Sequence, residues 1–464
     1  MCLCDEKFST VNIAVTGASG FIGGALVRAL LARGDRVRAL GRSPDRANFP
    51  AGVEIARFDP NGPADAAAFE GTDAVVHLAG ETVAGRWTRE KKSAIRDSRV
   101  RGTRAVVDSI AACAVKPRTL VCASGVGYYG NRGDEPLLES SAPGDGFLAH
   151  VCIEWEREAQ RAQTLGVRTV SLRQGIVFGR DGGALREMLP PFRAFAGGPY
   201  GNGSQWMPWI HLGDVVALYL FALDQTLTGP INAVSPDIAR SARLSRAIGA
   251  VLRRPSFANA PGVALHAVLG EFASTLLASQ LVLADAALAA GFTFSHEMLE
   301  GALVDVLLPG GDVRSPVHTF EDSLAIKASR EQVFAFLSDP FNLSLITPPQ
   351  VDIRVTSAEP VVMRRGAVIE YKLRARRVRT RWKSLVTDWR PPESFVDYQV
   401  RGPYELWRHE HIFEERPTGV VVRDRVGYSL PFAPIGELGL PLVRGDLGRI
   451  FDFRRASVAR VFGA

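Results

Sequence analysis

The hydrophobic pattern near the start of the chain predicts a strand, a tight turn and a helix. Residues 11–16 form an apolar run rich in β-branched side chains, and a helical spacing of apolar residues follows as far as Gly34. Gly17, Gly20 and Gly23 stand at three-residue spacing between the two patterns. Glycines at such a turn let the chain reverse, let a pyrophosphate approach the backbone and let the helix pack closely on the strand. The segment therefore predicts a nucleotide-binding turn, with a plain turn as the alternative.

Strands and helices continue to alternate over the next 150 or so residues. Helical patterns span about residues 87–114 and 147–165. Apolar runs predict further strands at 36–40, 53–58, 73–78, 120–124 and 167–172. Buried strands that alternate with helices predict an α/β fold with a doubly wound parallel sheet, the NAD(P)-binding Rossmann architecture. Ligands of such sheets bind at the carboxyl ends of the strands.

The carboxyl ends of these strands supply the candidate cofactor-binding residues. NAD-binding sheets place an acidic residue about 20 positions beyond the glycines, whereas this chain has Arg42, with Arg46 one turn on. An arginine can pair with a 2′-phosphate, so we expect NADP(H), the alternative being a solvated surface arginine. Asp59 is suited to accept from the adenine amino group or, equally, to cap its loop. The full candidate set is Gly17, Ser19, Gly20, Phe21, Ile22, Gly23, Arg42, Asp59, Leu78, Ala79, Gly80, Glu81, Ser124, Gln174 and Ile176.

Length and charge limit the classes of protein that the chain can represent. A chain of 464 residues is too long for one ordinary core and predicts two or three domains. The 55 Lys and Arg against 49 Asp and Glu leave a net charge of +6, too small to predict a nucleic-acid partner. We therefore expect a small-molecule substrate, and the sequence leaves the oligomeric state open.

Cysteine content and hydropathy bear on the compartment. The five cysteines show no metal-ligand pairing, and their odd number fits a reduced chain better than a disulfide framework. The most apolar long stretch, 263–292, is interrupted by charged and polar residues and so predicts packed helices rather than a membrane span. We expect a cytoplasmic protein with no metal site and no membrane span.

Six motifs in combination resemble those of a known family. They are TGASGFIGG from residue 16, HLAGE (77–81), WTREKKSAIRDSRVRGT (87–103), SGVGYYG (124–130), LRQGIVFG (172–179) and QWMPWIHLGDV (205–215). The combination resembles the atypical extended short-chain dehydrogenases/reductases known as "epimerase family proteins", a cell-division-inhibitor-like group, over residues 11–308. The resemblance implies an NADP-binding domain at 1–308 with a small substrate lobe at about 180–300.

The catalytic pair of the wider superfamily is missing from this chain. Typical members use Ser, Tyr and Lys, with Tyr four residues before Lys, so that one helical turn sets the ammonium beside the phenol. Ser124 matches the serine, but an alignment through Glu156 puts Leu148 in the place of Tyr and Cys152 in the place of Lys. Arg99 also stands where the family usually has Asn. The usual proton relay is therefore in doubt.

Other side chains near the predicted nicotinamide position are candidates for proton transfer. Ser124, Tyr128, Tyr129 and His211 form our catalytic set, against the alternative that the aromatic ones are walls of the pocket. Trp206 near His211 suggests an apolar ligand, although the same aromatic residue suits a core. The sequence is thus compatible with an NADP(H)-dependent oxidoreductase or epimerase-like enzyme, and with a non-catalytic NADP(H) sensor or ligand carrier.

The pattern changes after a turn-rich linker at 309–317. One strand at 318–326 and a helix broken at 339–340 precede a long helix at 443–461 and strands near 351–358, 366–377, 379–389, 395–401, 406–415 and 420–430. The motifs ITPP (346–349), WRPPESFVDYQ (389–399), GPYELWRHEH (402–411) and DRVGYSLP (424–431) resemble the START-like SRPBCC superfamily over 318–464. The resemblance implies an α+β helix-grip domain that holds a hydrophobic ligand.

Two clusters in this second domain invite other hypotheses. The basic residues between Arg374 and Lys383 include only one aromatic residue, Trp382, so we interpret them as a solvated sheet face rather than a nucleic-acid site. His409 and His411 share one face of a strand, and we interpret them as sheet packing rather than a metal site.

Overall fold

The computed structural model describes residues 11–42, 48–252, 254–307, 317–357, 360–375, 378–431 and 435–463. Arg46 and the predicted linker, apart from its last residue, lie outside these ranges. The described chain forms two compact units: the first holds residues up to Gly249 together with Arg254–Phe294, and the second holds the described residues of Ala250–Arg253 and Ser295–Ala464.

The first unit contains the alternating pattern that the sequence predicts. Its strands are β1 (Asn12–Thr16), β2 (Arg36–Gly41), β3 (Val53–Arg57), β4 (Ala74–His77), β5 (Thr119–Gly125), β6 (Pro136–Leu137), β7 (Arg168–Gln174), β8 (Ile176–Phe178), β9 (Trp206–Met207), β10 (Trp209–His211), β11 (Gly229–Ala233), β12 (Ala239–Arg240) and β13 (Leu281–Val282). Its helices are α1 (Phe21–Arg33), α2 (Arg89–Ala112), α3 (Phe147–Gln160), α4 (Gly183–Arg193), α5 (Leu212–Asp224), α6 (Ser241–Leu252), α7 (Gly262–Leu269), α8 (Phe272–Leu277) and α9 (Asp285–Ala289). The helix predicted at 147–165 ends earlier, and Arg161–Leu165 continues it as a 3₁₀ turn.

Seven of these strands form one parallel sheet in the order β11-β7-β5-β4-β1-β2-β3. Both faces of the sheet are covered, as a doubly wound fold requires. Ile13 and Val15 of β1 pack with residues of α1 and α5, whereas the intervening Ala14 packs with residues of α2 and α3 on the other face. The parallel Rossmann-like sheet predicted from the sequence is confirmed, and its carboxyl edge carries the candidate site.

The second unit is built on an antiparallel sheet. Seven strands pair in the order β14-β20-β19-β18-β17-β16-β15, and the helices α10 (Leu299–Leu307), α11 (Arg330–Ser338) and α12 (Leu440–Phe462) accompany them. The strands are β14 (His318–Ile326), β15 (Arg354–Val355), β16 (Val368–Ala375), β17 (Val378–Arg390), β18 (Ser394–Arg401), β19 (Leu406–Arg416) and β20 (Gly419–Ser429). Leu447 and Phe451 of α12 are buried with Val426 and Tyr428 of β20. The long terminal helix predicted at 443–461 therefore packs on the predicted antiparallel sheet.

Two sequence-based boundaries differ from the structure. The strand predicted near 351–358 is only two residues long, because Pro349–Val351 forms a 3₁₀ turn and Asp352 follows with a left-handed φ of 43°. The second unit also begins before the predicted linker, since α10 packs on β17: a Cβ added to Gly301 would lie 3.3 Å from a methyl carbon of Leu385. Among the described helices, none combines the length and the apolar character needed to cross a membrane.

Candidate functional site

The glycine turn between β1 and α1 is shaped for close backbone approach. Gly17 has a φ of +69°, and a Cβ there would lie 2.8 Å from the backbone nitrogen of Ala79. A Cβ on Gly23 would lie 2.1 Å from the carbonyl oxygen of Gly17, so α1 can begin this close to the turn only with glycine. Gly20 is the N-cap, and within the described chain no side chain caps the helix and its first turn holds no acidic residue. The first N–H groups of α1 and the positive end of its dipole therefore suit an anion.

The remaining predicted residues of this segment surround the turn. Ser19 is exposed, and Phe21 and Ile22 are half-buried in the first turn of α1. The Phe21 ring lies against the loop after β8, where a Cβ added to Gly179 would come within 2.5 Å of it. The turn is thus bordered by this loop as well as by the end of β4.

A buried hydrogen bond joins the ends of β1 and β4. Thr16 Oγ1 and His77 Nδ1 are 2.6 Å apart. Burial, aided by the charge of Arg99, lowers the pKa of His77 to about 4, so the ring is neutral at physiological pH. This contact aligns the segment after β4, in which Leu78 and Ala79 are half-buried and Gly80 is exposed, with the glycine turn.

Arg42 is exposed at the carboxyl end of β2. The pKa of Glu81 is lowered, chiefly by the hydrogen bond from Lys91 Nζ at 2.7 Å and in smaller part by the charge of Arg42. Arg42 and Glu81 therefore lie at the same edge of the sheet. Asp59 is exposed, and its Oδ1 accepts a hydrogen bond from the N–H of Asn61 at 3.0 Å, which is the loop-capping alternative.

The predicted residues after β7 have structural partners. Gln174 Nε2 donates to the hydroxyl of Tyr219 at 2.5 Å, and Ile176 of β8 pairs with Trp209 of β10. Trp209 is fully buried and stacks on Phe178, so this tryptophan belongs to the core.

Ser124 lies at the end of β5, as its position in the sequence predicts, but its hydroxyl is engaged in a buried network. Its Oγ donates to Glu156 Oε1 at 2.6 Å, and Glu156 accepts two hydrogen bonds of 2.8 Å from Arg173. Arg173 Nη1 in turn donates to the hydroxyl of Tyr129 at 2.9 Å, and this hydroxyl donates to Asn232 Oδ1 at 2.6 Å. The network links β5, α3, β7 and β11 beneath the site.

The two tyrosines after β5 differ in their access to the site. Tyr129 is fully buried, and burial raises the pKa of its hydroxyl to about 12. Tyr128 is half-buried, with the guanidinium of Arg173 3.5 Å from the centre of its ring. The catalytic roles of Ser124 and Tyr129 stay predictions that these contacts do not favour, because both hydroxyls already have buried partners.

Leu148 and Cys152 lie one turn apart on α3 and face the end of β5, where the spacing predicts the missing pair. A Cβ added to Gly127 would lie 3.1 Å from Leu148 Cβ and 3.9 Å from Cys152 Sγ. Burial, with the nearby charge of Glu156, raises the pKa of Cys152 to about 11, so the thiol stays protonated. Cys152 is a packed residue rather than a nucleophile.

Arg99 supplies a cation close to the position that lacks lysine. Its Nη1 donates to the carbonyl oxygens of Glu81 at 2.8 Å and Ile95 at 3.2 Å, and its guanidinium carbon is 5.1 Å from the ring centre of Trp155. A Cβ on Gly80 would lie 3.4 Å from this guanidinium, whose charge also lowers the pKa of Cys152 against the effect of burial. The sequence shows arginine in place of asparagine, but only the structure shows that it approaches Cys152.

His211 ends β10 and is the N-cap of α5. It is buried, and its Nδ1 accepts a hydrogen bond from the N–H of Gly213 at 3.0 Å. This hydrogen bond makes the His211 side chain the N-terminal cap of α5. The catalytic role of His211 stays a prediction.

The second unit encloses a cavity of about 1050 Å³. Its lining is mainly apolar and aromatic, and includes Leu343, Ile369, Trp382, Trp407, Leu447 and Phe451. Asp397, His409 and His411 also line it, so one part of the wall is ionisable. Burial first, and then the charge of His411, lower the pKa of His409 to about 4. Cavities of this size and composition are typical of sites for small apolar molecules.

Comparison with known proteins places the first unit in a family. The NAD dependent epimerase/dehydratase family matches residues 13–234, and a domain of unknown function (DUF1731) matches residues 260–306. The epimerase family protein SDR39U1 homolog, chloroplastic, of Arabidopsis thaliana is 41% identical over 315 residues, which cover 65% of this chain and 89% of that protein. The chain belongs to the epimerase family. The family resemblance found in the sequence is thus confirmed for this part of the chain.

Solved structures of epimerase family proteins agree with this assignment. The crystal structure of human epimerase family protein SDR39U1 (isoform 2) with NADPH has a TM-score of 0.57 at 32% identity and covers 64% of this chain and 98% of that one. A nucleoside-diphosphate sugar epimerase from Corynebacterium glutamicum has a TM-score of 0.52 at 33% identity, covering 64% of this chain and 58% of that one. UDP-glucose 4-epimerase from Thermus thermophilus, with NAD, shares the fold at 21% identity and a TM-score of 0.53.

Proposed function

We propose that residues 1–308 form an NADP(H)-dependent oxidoreductase or epimerase-like enzyme for a small, apolar substrate, and that residues 318–464 hold a hydrophobic ligand. The observation that carries the first part is the glycine turn, where a Cβ on Gly17 or Gly23 would meet backbone and where the start of α1 has no side-chain cap within the described chain. This cradle fits a pyrophosphate.

The residues that would hold the cofactor follow from this edge of the sheet. The N–H groups of Phe21 and Ile22 would bind the pyrophosphate, since the N–H of Gly20 donates to the Gly17 carbonyl at 2.9 Å, and Arg42 would pair with the 2′-phosphate. The segment from Leu78 to Glu81 would lie along the nucleotide. When bound, NADP(H) supplies a hydride donor or acceptor.

Two observations support NADP(H) over NAD(H). Arg42 occupies the position at which an acidic residue would favour a ribose hydroxyl, and its side chain is exposed at the site's edge. The human relative was solved with NADPH, whereas the Thermus thermophilus protein was solved with NAD. Since the human protein is the more similar of the two, it supports the phosphate-bearing cofactor.

Arg99 and Tyr128 are the residues that could take over from the missing pair. The half-buried guanidinium of Arg99 lies beside Gly80 and near Cys152, where a positive charge would stabilise negative charge that develops on a substrate oxygen. Tyr128 is half-buried, which leaves it the more accessible of the two tyrosines for proton transfer. Ser124, held by Glu156, would position the end of β5 rather than move a proton.

A non-catalytic NADP(H) sensor or carrier is the second candidate. It is favoured by Leu148 and Cys152, since the two positions that face the end of β5 hold an apolar side chain and a protonated thiol. A cofactor could bind in the absence of any proton donor.

The ligand of the second unit is proposed from its cavity and its motifs. The volume of about 1050 Å³ and the aromatic lining suit an apolar molecule, and the motifs at 346–349, 389–399, 402–411 and 424–431 resemble those of the SRPBCC superfamily. We likewise propose a cytoplasmic location, no nucleic-acid partner and a small-molecule substrate.

The proposal is tested by cofactor binding to the full chain. Titration with NADPH should quench the tryptophan fluorescence, and NADPH should bind more tightly than NADH. Arg42→Ala should weaken NADPH at least tenfold and leave NADH unchanged, because a charge-assisted contact to phosphate contributes about 1.5–3 kcal/mol. Arg36→Ala is the matched control, since Arg36 begins the same strand and is exposed at its opposite end. Equal affinities for the two cofactors would remove the Arg42 assignment.

Hydride transfer separates the enzyme from the sensor. Incubation with 4-deuterated NADPH and a cell extract should move deuterium into a small molecule if the chain is an enzyme, and Arg99→Gln should abolish the transfer without abolishing NADPH binding. Intact binding with no transfer across different extracts would support the sensor instead.

A further inference from the structure

We propose that Asp397, His409 and His411 form a divalent metal site in the wall of the cavity of the second unit. The three residues offer one carboxylate oxygen and two imidazole nitrogens, and these atoms lie within 4.8 Å of one another. This proposal departs from our expectation from the sequence, which assigned the two histidines to sheet packing.

Sheet register brings the three side chains together. His409 and His411 are alternate residues of β19 and therefore share a face. Asp397 of β18 is the cross-strand partner of His409, and Asp424 of β20 is the cross-strand partner of His411. One face of three adjacent strands thus carries two imidazoles between two carboxylates.

Asp424 lies beside the nitrogen of each ring that points away from Asp397. Its Oδ1 lies 2.8 Å from Nε2 of His409 and 2.7 Å from Nδ1 of His411. The contact with His409 is a hydrogen bond, so protonation of Nε2 leaves the lone pair of that ring on Nδ1, as in metal sites where a carboxylate behind the histidine sets its tautomer. Within the described chain, Nδ1 of His411 lacks hydrogen-bond geometry toward any partner. Nδ1 of His409 and Nε2 of His411 face the same oxygen, Oδ2 of Asp397.

Asp397 is held in a matching orientation. Ser384 donates its hydroxyl to the other oxygen, Oδ1, at 3.1 Å. The Ser384 hydroxyl in turn accepts hydrogen bonds from Tyr371 at 2.7 Å and Trp382 at 3.0 Å. Oδ2 of Asp397 therefore faces the two histidines.

The separations suit a shared cation better than hydrogen bonds. Oδ2 of Asp397 is 3.7 Å from Nδ1 of His409 and 3.4 Å from Nε2 of His411, whereas charge-assisted hydrogen bonds are about 2.7–2.9 Å long. Ligands about 2.0–2.1 Å from a tetrahedral Zn²⁺ are separated by about 3.4 Å. The two nitrogens are thus spaced from the carboxylate oxygen much as ligands of a tetrahedral site are spaced from one another.

The charge of the cluster also calls for a cation. Asp424 is buried and Asp397 is half-buried, and Nη1 of Arg454 lies 3.4 Å from Asp424 Oδ1. Two neutral imidazoles would leave an uncompensated negative charge, which is costly to bury. A divalent ion would reverse the sign of this charge, and an anionic fourth ligand, a hydroxide or the carboxylate end of an apolar molecule, would neutralise it.

Three protein ligands leave a coordination position for another molecule. The ligand set of two imidazoles and one carboxylate suits Zn²⁺ and related divalent transition ions rather than Mg²⁺ or Ca²⁺. Because the three residues line the cavity, the open position would bind water or the polar end of an apolar molecule. That role, but not the metal site itself, rests on the proposed hydrophobic ligand.

The test is metal binding by the full chain. Zn²⁺ affinity, measured by competition with a chromophoric chelator, should fall at least tenfold in Asp397→Asn and in His411→Gln. Asp424→Asn should weaken binding by about 10–100-fold, since loss of the carboxylate behind a ligand has that effect. His318→Gln is the matched control, because His318 belongs to β14 of the same sheet and pairs with Glu437 at 2.6 Å; its Zn²⁺ affinity should equal that of the unaltered chain.

Co²⁺ gives a readout that does not depend on the variants. The unaltered chain should show the intense visible absorption of four-coordinate Co²⁺, and added Zn²⁺ should abolish it. No visible band, or a Zn²⁺ affinity that is the same with and without the Asp397 and His411 changes, would overturn the metal site. NADPH binding measured on the same samples keeps this result separate from failure of the cofactor proposal.

Discussion

At the end of β5, the carboxylate of Glu156 is the shared hydrogen-bond partner of two buried polar side chains. Glu156 accepts from Ser124 and forms a bidentate pair with Arg173, and the side chains of this pair are only 6% and 3% exposed. Such a pair adds little stability over an apolar replacement, but breaking it leaves a buried charge without compensation. Glu156 therefore holds in place the strand end on which the candidate site depends.

We expect Glu156→Gln to lower the free energy of unfolding by about 3–5 kcal/mol, because Arg173 would remain buried without its counter-ion. Chemical denaturation followed by circular dichroism measures the change. Glu154→Gln is the control on the same helix: Glu154 pairs with Arg96, their side chains are 28% and 45% exposed, and the loss should stay below about 1 kcal/mol. Equal losses in the two variants would contradict the assigned role of the buried pair.

Single residues show what a sequence can and cannot predict at this scale. The absence of the catalytic pair follows from the alignment of α3 with the family pattern through Glu156, and the structure places Leu148 and Cys152 one turn apart beside the end of β5. The approach of Arg99 to Cys152 could not be predicted, because it joins α2 and α3, which are separated by β5 and β6 in the chain. The partners of Ser124 are hidden from the sequence for the same reason.

At the scale of elements, α1 shows how a glycine can be required at one position of a helix and replaceable at the next. A Cβ on Gly23 would lie 2.1 Å from the Gly17 carbonyl, whereas a Cβ on Gly24 has its nearest neighbours at 3.7 Å. The two residues are consecutive in one helix, so they share its intrinsic propensity and differ only in what their side chains would meet.

We expect Gly23→Ala to destabilise the chain by about 1–3 kcal/mol through overpacking and to weaken NADPH binding at least tenfold by displacing the start of α1. Gly24→Ala should be neutral or stabilising by up to about 1 kcal/mol, because alanine is the better helix former. Thermal unfolding and NADPH titration test both variants. If Gly23→Ala bound NADPH as well as Gly24→Ala does, the close approach would be irrelevant to binding.

Strands of the second unit were predictable wherever alternation was long and regular. The strand at 318–326 has the bounds given by its pattern, since its residues alternate between half-buried and exposed along most of its length. The strand near 351–358 was predicted too long, because a 3₁₀ turn and the left-handed Asp352 lie within the apolar pattern. A 3₁₀ turn or a left-handed residue has little effect on the pattern of apolar and polar positions, so hydropathy does not predict it.

For the whole molecule, the two compact units have separate cores. The apolar clusters of the first unit draw on its parallel sheet and helices, and those of the second draw on residues 320–462. The sequence predicted two domains from the change of pattern, but it put the boundary at the turn-rich linker. It could not show that α10 packs on β17, since the apolar face of a helix does not indicate which element it packs against.

We expect calorimetry of the full chain to show two unfolding transitions, because each unit has its own core. NADPH at about 100 times its dissociation constant should stabilise one transition by about 2.7 kcal/mol and leave the other unchanged. Arg42→Ala, with its weaker binding, should reduce that shift at the same NADPH concentration. A single transition that NADPH raises as a whole would show instead that the chain unfolds as one unit.

The position of Arg99 limits how the tyrosine and lysine of the wider superfamily could be restored in this chain. A lysine grafted at the buried position of Cys152 would set an ammonium near the half-buried guanidinium of Arg99, and two like charges repel strongly where water is scarce. Restoring tyrosine and lysine on α3 would therefore require α2 to give up its arginine. A change from one arrangement to the other must alter α2 and α3 together. A chain that carried both Arg99 and the introduced lysine would be the least stable intermediate.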